Sequence, residues 1–233
     1  VCSSDLTYDA SAWRRYVLSS RAHNVVLVDG MDQSRRKAPR ESYVVQAPLP
    51  HVWQSTAEYD YAAASYDEGW GSNAVRTVKH TRQVYFVKPD FFVVADELEP
   101  SDGAPHTYEA LFHLDAEDAA VDGLQVVTRG DGPVLTLQAF GAGEVRIVKG
   151  QKEPDVHGWL PDSSAGYGGV RPIPTAIYRT QSPGKVTVLY ALVPSASAAV
   201  SQVKALNLAD GALRIRCADG SEKVLRNPRE AGR

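Results

Sequence analysis

The stretch Arg21-Ala22-His23-Asn24-Val25-Val26-Leu27-Val28-Asp29-Gly30-Met31-Asp32-Gln33 concentrates more potential chemistry than any other part of the chain. It sets a His-Asn pair at the mouth of an apolar strand that closes on an Asp-Gly turn. An imidazole titrates near neutrality, so a histidine in such a place either works at a site or is simply hydrogen-bonded at a strand edge. Asn24 either orients that imidazole or caps the strand. The other histidines read differently. His80 and Arg82 share a strand face with Val78, Val84 and Phe86, the pattern of a hydrogen-bonded core pair rather than a catalytic one. His113 shares a face with Glu109 and Thr107, which suggests a polar ladder. His51 and His157 fall in loops and take no role. Asp115, Glu117 and Asp118 cluster in a turn, where solvation is the default. A sandwich glycoside hydrolase needs two carboxylates on facing strands at a set spacing, and no such pair stands out.

The elements that must position these residues are strands. Period-two alternation recurs from end to end, and helical periodicity is almost absent. Val78 to Val87 alternates strictly, Lys88-Pro89-Asp90 turns the chain, and Phe91–Asp96 follows as a strand buried on both sides. His106 to Leu114 places Tyr108, Ala110, Phe112 and Leu114 on one face. Further strands are expected at Val25–Val28, Tyr43–Gln46, Leu124–Thr128, Val134–Phe140, Glu144–Val148, Lys185–Val193 and Ala212–Ala218. Asp-Gly pairs at 29–30, 122–123, 131–132, 210–211 and 219–220 supply the positive φ angles of tight hairpins. Only Asp9–Ser19 and Ala196–Val203 suit short helices. Gln151–Pro174 is too irregular for a hairpin, yet Trp159 and Tyr167 argue for a packed loop. The fold class is all-β, an antiparallel sandwich of stacked sheets.

Bulk properties exclude several functions. The 233 residues suffice to bury a real core, and a net charge of -3 with a pI near 6.1 gives no basic field for nucleic acid. No apolar run approaches the roughly 20 residues of a membrane span. The chain opens on Val1 without a signal sequence or a starting Met, and so reads as a truncated or mature chain. Val1-Cys2-Ser3-Ser4-Asp5-Leu6 also matches the translated end of a common sequencing adapter. Residues 1–6 are therefore expected to be an assembly artefact, with residues 7–233 forming one domain. Cys217 is then the only natural cysteine, and no disulfide framework exists.

Read together, Tyr8-Asp9-Ala10-Ser11-Ala12-Trp13-Arg14-Arg15-Tyr16 and the His23-Asn24…Asp29-Gly30…Gln33 run resemble the heparinase II/III-like polysaccharide lyases, which include heparin, heparan and oligo-alginate lyases. His80-x-Arg82, Phe91–Asp96, His106 and Phe112-His113-Leu114 fit as well, and the likeness thins beyond about Ala139. It implies the C-terminal β-sandwich of an enzyme whose N-terminal α-toroid is missing here, with the active site between the two parts. It implies β-elimination on an acidic, uronic-acid polysaccharide, in a periplasmic or secreted bacterial protein. His23 matches the family's third zinc ligand. The family's Gly-His-x-His-x-x-Asp segment is absent, and the Asp after it would align near Cys2. His23 should therefore face an open, partly polar spot without a full ligand set. Tyr8 aligns with a tyrosine that reaches the active site from the sheet domain, and is the catalytic candidate. Arg14 or Arg15 would grip a uronate carboxylate bidentately, or else are surface charge on a short helix. Asn24 stands with them as a substrate-binding candidate.

The resemblance therefore implies a lyase sheet domain that is inactive alone. A free-standing carbohydrate-binding or scaffold module, with Trp53, Trp70 and Trp159 as sugar platforms, is the second reading.

Overall fold

The structure is a computed structural model and describes residues 11–34, 51–166, 168–196 and 203–228. Three antiparallel sheets stack in layers. The central one has eight strands in the order β2 (His51–Ser55), β3 (Tyr59–Tyr66), β4 (Val78–Val87), β5 (Phe91–Pro100), β14 (Val186–Ser195), β9 (Val134–Phe140), β8 (Gln125–Arg129) and β7 (Asp118–Asp122). On one side lies a four-stranded sheet of β1 (Val26–Val28), β6 (His106–His113), β13 (Pro174–Ser182) and β10 (Glu144–Lys149). On the other lies a meander of β15 (Val203–Ala209), β16 (Ala212–Cys217) and β17 (Glu222–Arg226).

Side-chain alternation divides the central sheet between two cores. Val94, Leu98, Leu137 and Tyr190 face Tyr108, Phe112 and Tyr178 of the four-stranded sheet. Tyr61, Tyr85, Val93 and Ala191 face Leu213, Ile215 and Leu225 of the meander. Each fully buried large side chain contributes about 1.5–3 kcal/mol. The four-stranded sheet also buries part of its outer face, where Leu27, Leu111, Val148 and Ile177 pack together. Tyr108, Ala110 and Phe112 point inward, so Glu109, Leu111 and His113 point to that outer face. This face carries the candidate site.

The predicted hairpins are present with small shifts. Asp29-Gly30 and Asp210-Gly211 both have two consecutive positive φ values, 52° and 70°, and 52° and 66°. These are the angles of the turn that matches strand twist. Gly123 and Gly220 are also left-handed, and Asp102-Gly103 makes a further turn between β5 and β6. Phe91–Asp96 departs from expectation at one place, because Phe92 is exposed where a strand buried on both sides was predicted. Of the helix expected over Asp9–Ser19, Asp9 and Ala10 lie outside the described residues, and the rest forms α1 (Ala12–Val17), followed by a 3-10 turn at Ser20–Ala22. The strand expected at Tyr43–Gln46 lies outside the described residues, as does most of Ala196–Val203, whose last residue opens β15. The 151–174 segment is packed, as Trp159 suggested, and it contains a small hairpin of β11 (Trp159–Pro161) and β12 (Val170–Pro172). His51, expected in a loop, opens β2.

Candidate functional site

Helix α1 starts at Ser11, whose Oγ accepts the Arg14 N–H at 3.1 Å. Six residues cannot hold a helix alone, so packing must hold it. Tyr16 and Val17 are buried, while Arg15 is exposed and Arg14 half-buried. The Tyr16 hydroxyl donates to the Trp159 carbonyl at 3.1 Å and receives the Trp159 N–H at 3.3 Å, and Trp13 meets the Trp159 ring edge-on at 4.9 Å. The helix is thereby clamped between the 151–174 segment and the outer face of the four-stranded sheet. Burial pushes the Tyr16 hydroxyl up to about 12, so it stays protonated at neutral pH.

The chain then folds back through the Ser20–Ala22 turn to His23, which is half-buried. His23 Nε2 lies 3.1 Å from the Val17 carbonyl. A carbonyl only accepts, so Nε2 carries a proton, and in the neutral form of the ring Nδ1 is the nitrogen left with a lone pair. That is the arrangement in which a protein presents a histidine to a metal. The fit covers one ligand position. Among the described residues no group of three or more His, Cys, Asp or Glu could hold a metal ion.

Asn24 turns its side chain to His113 rather than to His23. Its Oδ1 accepts the His113 backbone N–H at 2.8 Å and lies 3.1 Å from His113 Nδ1. It therefore splints the end of β6. His113 Nε2 reaches the Arg21 carbonyl at 3.0 Å. Burial, eased in part by the Arg21 carbonyl and reinforced by His157 and His23, pulls His113 down to about 4. His157 is 4% exposed, its Nδ1 has no partner, and burial with the charges of Arg21 and Arg146 pulls it to about 4 as well. Two neutral imidazoles, His157 buried and His113 half-buried, thus back the corner formed by His23 and Asn24.

Arg21 ties the floor together by donating to the Gly30 carbonyl at 2.6 Å, with Asp32 and Asp155 at 3.7 and 3.8 Å. The polar ladder predicted on the His113 face is present at Thr107 and Glu109, and the buried Leu111 separates it from His113. Gln181 donates to Thr107 at 3.1 Å, and Arg146 pairs with Glu109 at 3.6 Å. The core pair expected of His80 and Arg82 is joined through a third residue. Asp96, fully buried, accepts from His80 Nε2 at 2.8 Å and from Arg82 Nε and Nη2 at 2.7 and 2.8 Å. Burial alone would raise the Asp96 carboxyl, but Arg82, with His80 added, holds it well below the usual carboxylate range.

The structure thus brings His23 and Asn24 together at one edge and puts Arg14 and Arg15 on the adjoining helix. Tyr8 lies outside the described residues. Sequence reasoning missed Arg21, Asp96 and His157. Asp96 was detectable, because a carboxylate ending the apolar run from Phe91 and opposite Arg82 requires a partner. For His157 the sequence carries no signal.

The chain superposes on the heparan sulfate lyase HepC of Pedobacter heparinus with a TM-score of 0.70 at 14% identity, covering 96% of this chain and 33% of that one. A heparinase III matches with a TM-score of 0.67 at 17% identity over 95% of this chain and 33% of its own length. Another heparinase III gives 0.62 at 12% identity, over 91% and 30%. The chain thus spans about one third of the length of these solved relatives. No curated protein matches the sequence significantly. The family described as Heparinase II/III-like, C-terminal matches residues 6–220, and the chain belongs to that family.

Proposed function

We propose that this chain is the sheet domain of a polysaccharide lyase that cleaves uronic-acid polymers by β-elimination. The observation that carries the reading is the His23–Asn24 corner, fixed at one edge of a domain of this family. In this reaction the C5 proton beside a carboxylate must be made acidic, by neutralising the carboxylate and stabilising the enolate-like transition state. A base then takes the proton and an acid protonates the departing O4. Arg14 and Arg15 are the carboxylate-gripping groups on this side, and Tyr8 is the proton-transfer candidate. Tyr16 does not serve as the base, because its hydroxyl is buried, stays protonated and is engaged on the Trp159 backbone. The remaining base and neutraliser belong to an N-terminal α-toroid, the partner domain in the longer protein. Asn24 lines the substrate side through its exposed face.

His23 serves as one ligand of a single zinc ion whose other ligands come from outside the described residues. Such an ion would cross-link the corner to the rest of the protein. Removing His23 by His23→Ala in the longer protein should lose most of the metal, measured by elemental analysis, and equal metal in both proteins ends the assignment. The setting is periplasmic or secreted, in a bacterium. No helix among the described residues is long and apolar enough to cross a membrane.

The decisive assay is ultraviolet absorbance of the new C4–C5 double bond on heparin, heparan sulfate, oligo-alginate and hyaluronan. The longer protein should turn over at least one, and the 233-residue chain none. A longer protein inert on all four overturns the reading. A second reading, a carbohydrate-binding module, draws on Trp53, which is 65% exposed on edge strand β2, whereas Trp70 is fully buried. It requires sugar binding without turnover that Trp53→Ala abolishes.

A further inference from the structure

We propose that Arg82, gripped by Asp96, is the positioning residue of the His23–Asn24 corner. The corner's importance to substrate rests on the lyase reading above, but the positioning does not. Arg82 and Asp96 face each other in register across β4 and β5. Two nitrogens of the guanidinium, Nε and Nη2, are spent on the carboxylate. The third, Nη1, leaves the central sheet and donates to the Asn24 backbone carbonyl. Asn24 is thereby pinned on its main chain by one sheet and on its side chain by another, at the His113 N–H. His23, one residue earlier, is held by Val17 from the helix.

Stability alone does not explain the triad, in which His80 and Asp96 are buried and Arg82 half-buried. Replacing a buried ion pair with apolar residues of similar volume is often neutral or stabilising. The neighbours on this face, Val84, Val94, Leu98 and Tyr190, would accept such residues. An apolar trio lacks a donor that reaches a carbonyl at the edge of another layer. Lysine lacks it too, since one ammonium cannot serve the carboxylate on two edges and Asn24 as well.

The test uses the 233-residue chain without metal. Nitrogen shifts of the His23 ring, read by NMR at mildly alkaline pH, report its tautomer, and amide exchange reports the His113 N–H. The wild type should show a single Nε2–H form of His23 and a protected His113 amide. In Arg82→Lys, which keeps a charge beside Asp96, the His23 tautomers should mix. The His113 amide should exchange about tenfold faster, as loss of one tethered hydrogen bond implies. Amides in the middle of β13 should not change, which separates positioning from general loosening. If Arg82→Lys does not fold, the triple variant His80→Leu, Arg82→Met, Asp96→Leu leaves no unpaired buried charge and should show the same two effects. Wild-type His23 shifts and His113 exchange in a folded variant overturn the proposal. Failure of the lyase reading would appear as missing turnover and would leave these readouts untouched.

Discussion

The charges on His106, His113 and His157 follow from burial and from the groups around their rings. His106 sits between Asp29 Oδ2 at 2.7 Å and Asp102 Oδ1 at 3.0 Å. Burial would lower its pKa, but the bonds to the two carboxylates outweigh that and leave it above 6.5. A histidine raised on folding stabilises the protein below its unfolded value, and the benefit disappears as pH rises through the folded value. His106→Gln should therefore lower the melting temperature below pH 6.5 and converge on wild type at alkaline pH, as thermal scans across pH would show. His113 and His157 act in the opposite direction. Both are held at about 4, so between pH 6.5 and 4 the unfolded chain binds more protons than the folded one, and stability falls with acidification. His157→Gln should flatten that loss in the same scans. An unchanged acid slope would mean that His157 is not buried neutral.

Turns and loop anchors set the element scale. Gly158 has a φ of 74°, and a Cβ there would stand 2.6 Å from the Val148 carbonyl and 2.9 Å from that of Ile173. Gly158→Ala should cost about 2–4 kcal/mol, since both the angle and the space forbid it. Gly30, at φ 70°, has open space around it, and Gly30→Ala should cost only about 1 kcal/mol. Thermal or urea denaturation of the two variants would test the order. Most strands were legible because one face is wet or because an Asp-Gly turn marks the end. Val134–Phe140 was read to the residue. Strand β13 was not, because Thr175, Ala176, Ile177 and Tyr178 are buried on both faces and alternation vanishes. Strands β2 and β3 also went unread, since Ala62 to Ala64 blurs the period. At the site, the His23–Asn24 corner was visible as an unusual pair ahead of an apolar run. Its supports at Val17, His113 and Arg82 were not, because they are tertiary contacts from three separate elements.

On the scale of the whole molecule, the meander β15–β17 is the lid of the second core. Tyr61, Tyr85 and Val93 would lie open without Leu213, Ile215 and Leu225. A chain ending before Val203 should bind a hydrophobic dye strongly and run as oligomers in size-exclusion chromatography. A monodisperse, dye-silent truncation would show that the meander is dispensable.

The order of strands in the central sheet also has a consequence in time. β14 is inserted between β5 and β9, so that Ala95 pairs with Leu189. The hairpins on either side, β2 to β5 and β7 to β9, are contiguous in sequence and close early. The strand that joins them leaves the ribosome last, roughly 5–20 s after β5 at ordinary rates of synthesis. Until then two apolar edges, at Phe91–Ala95 and along Val134–Phe140, stand open to pairing with any passing strand. The nascent chain is thus most exposed to misassembly in the interval between making the halves of its largest sheet and making the strand that unites them.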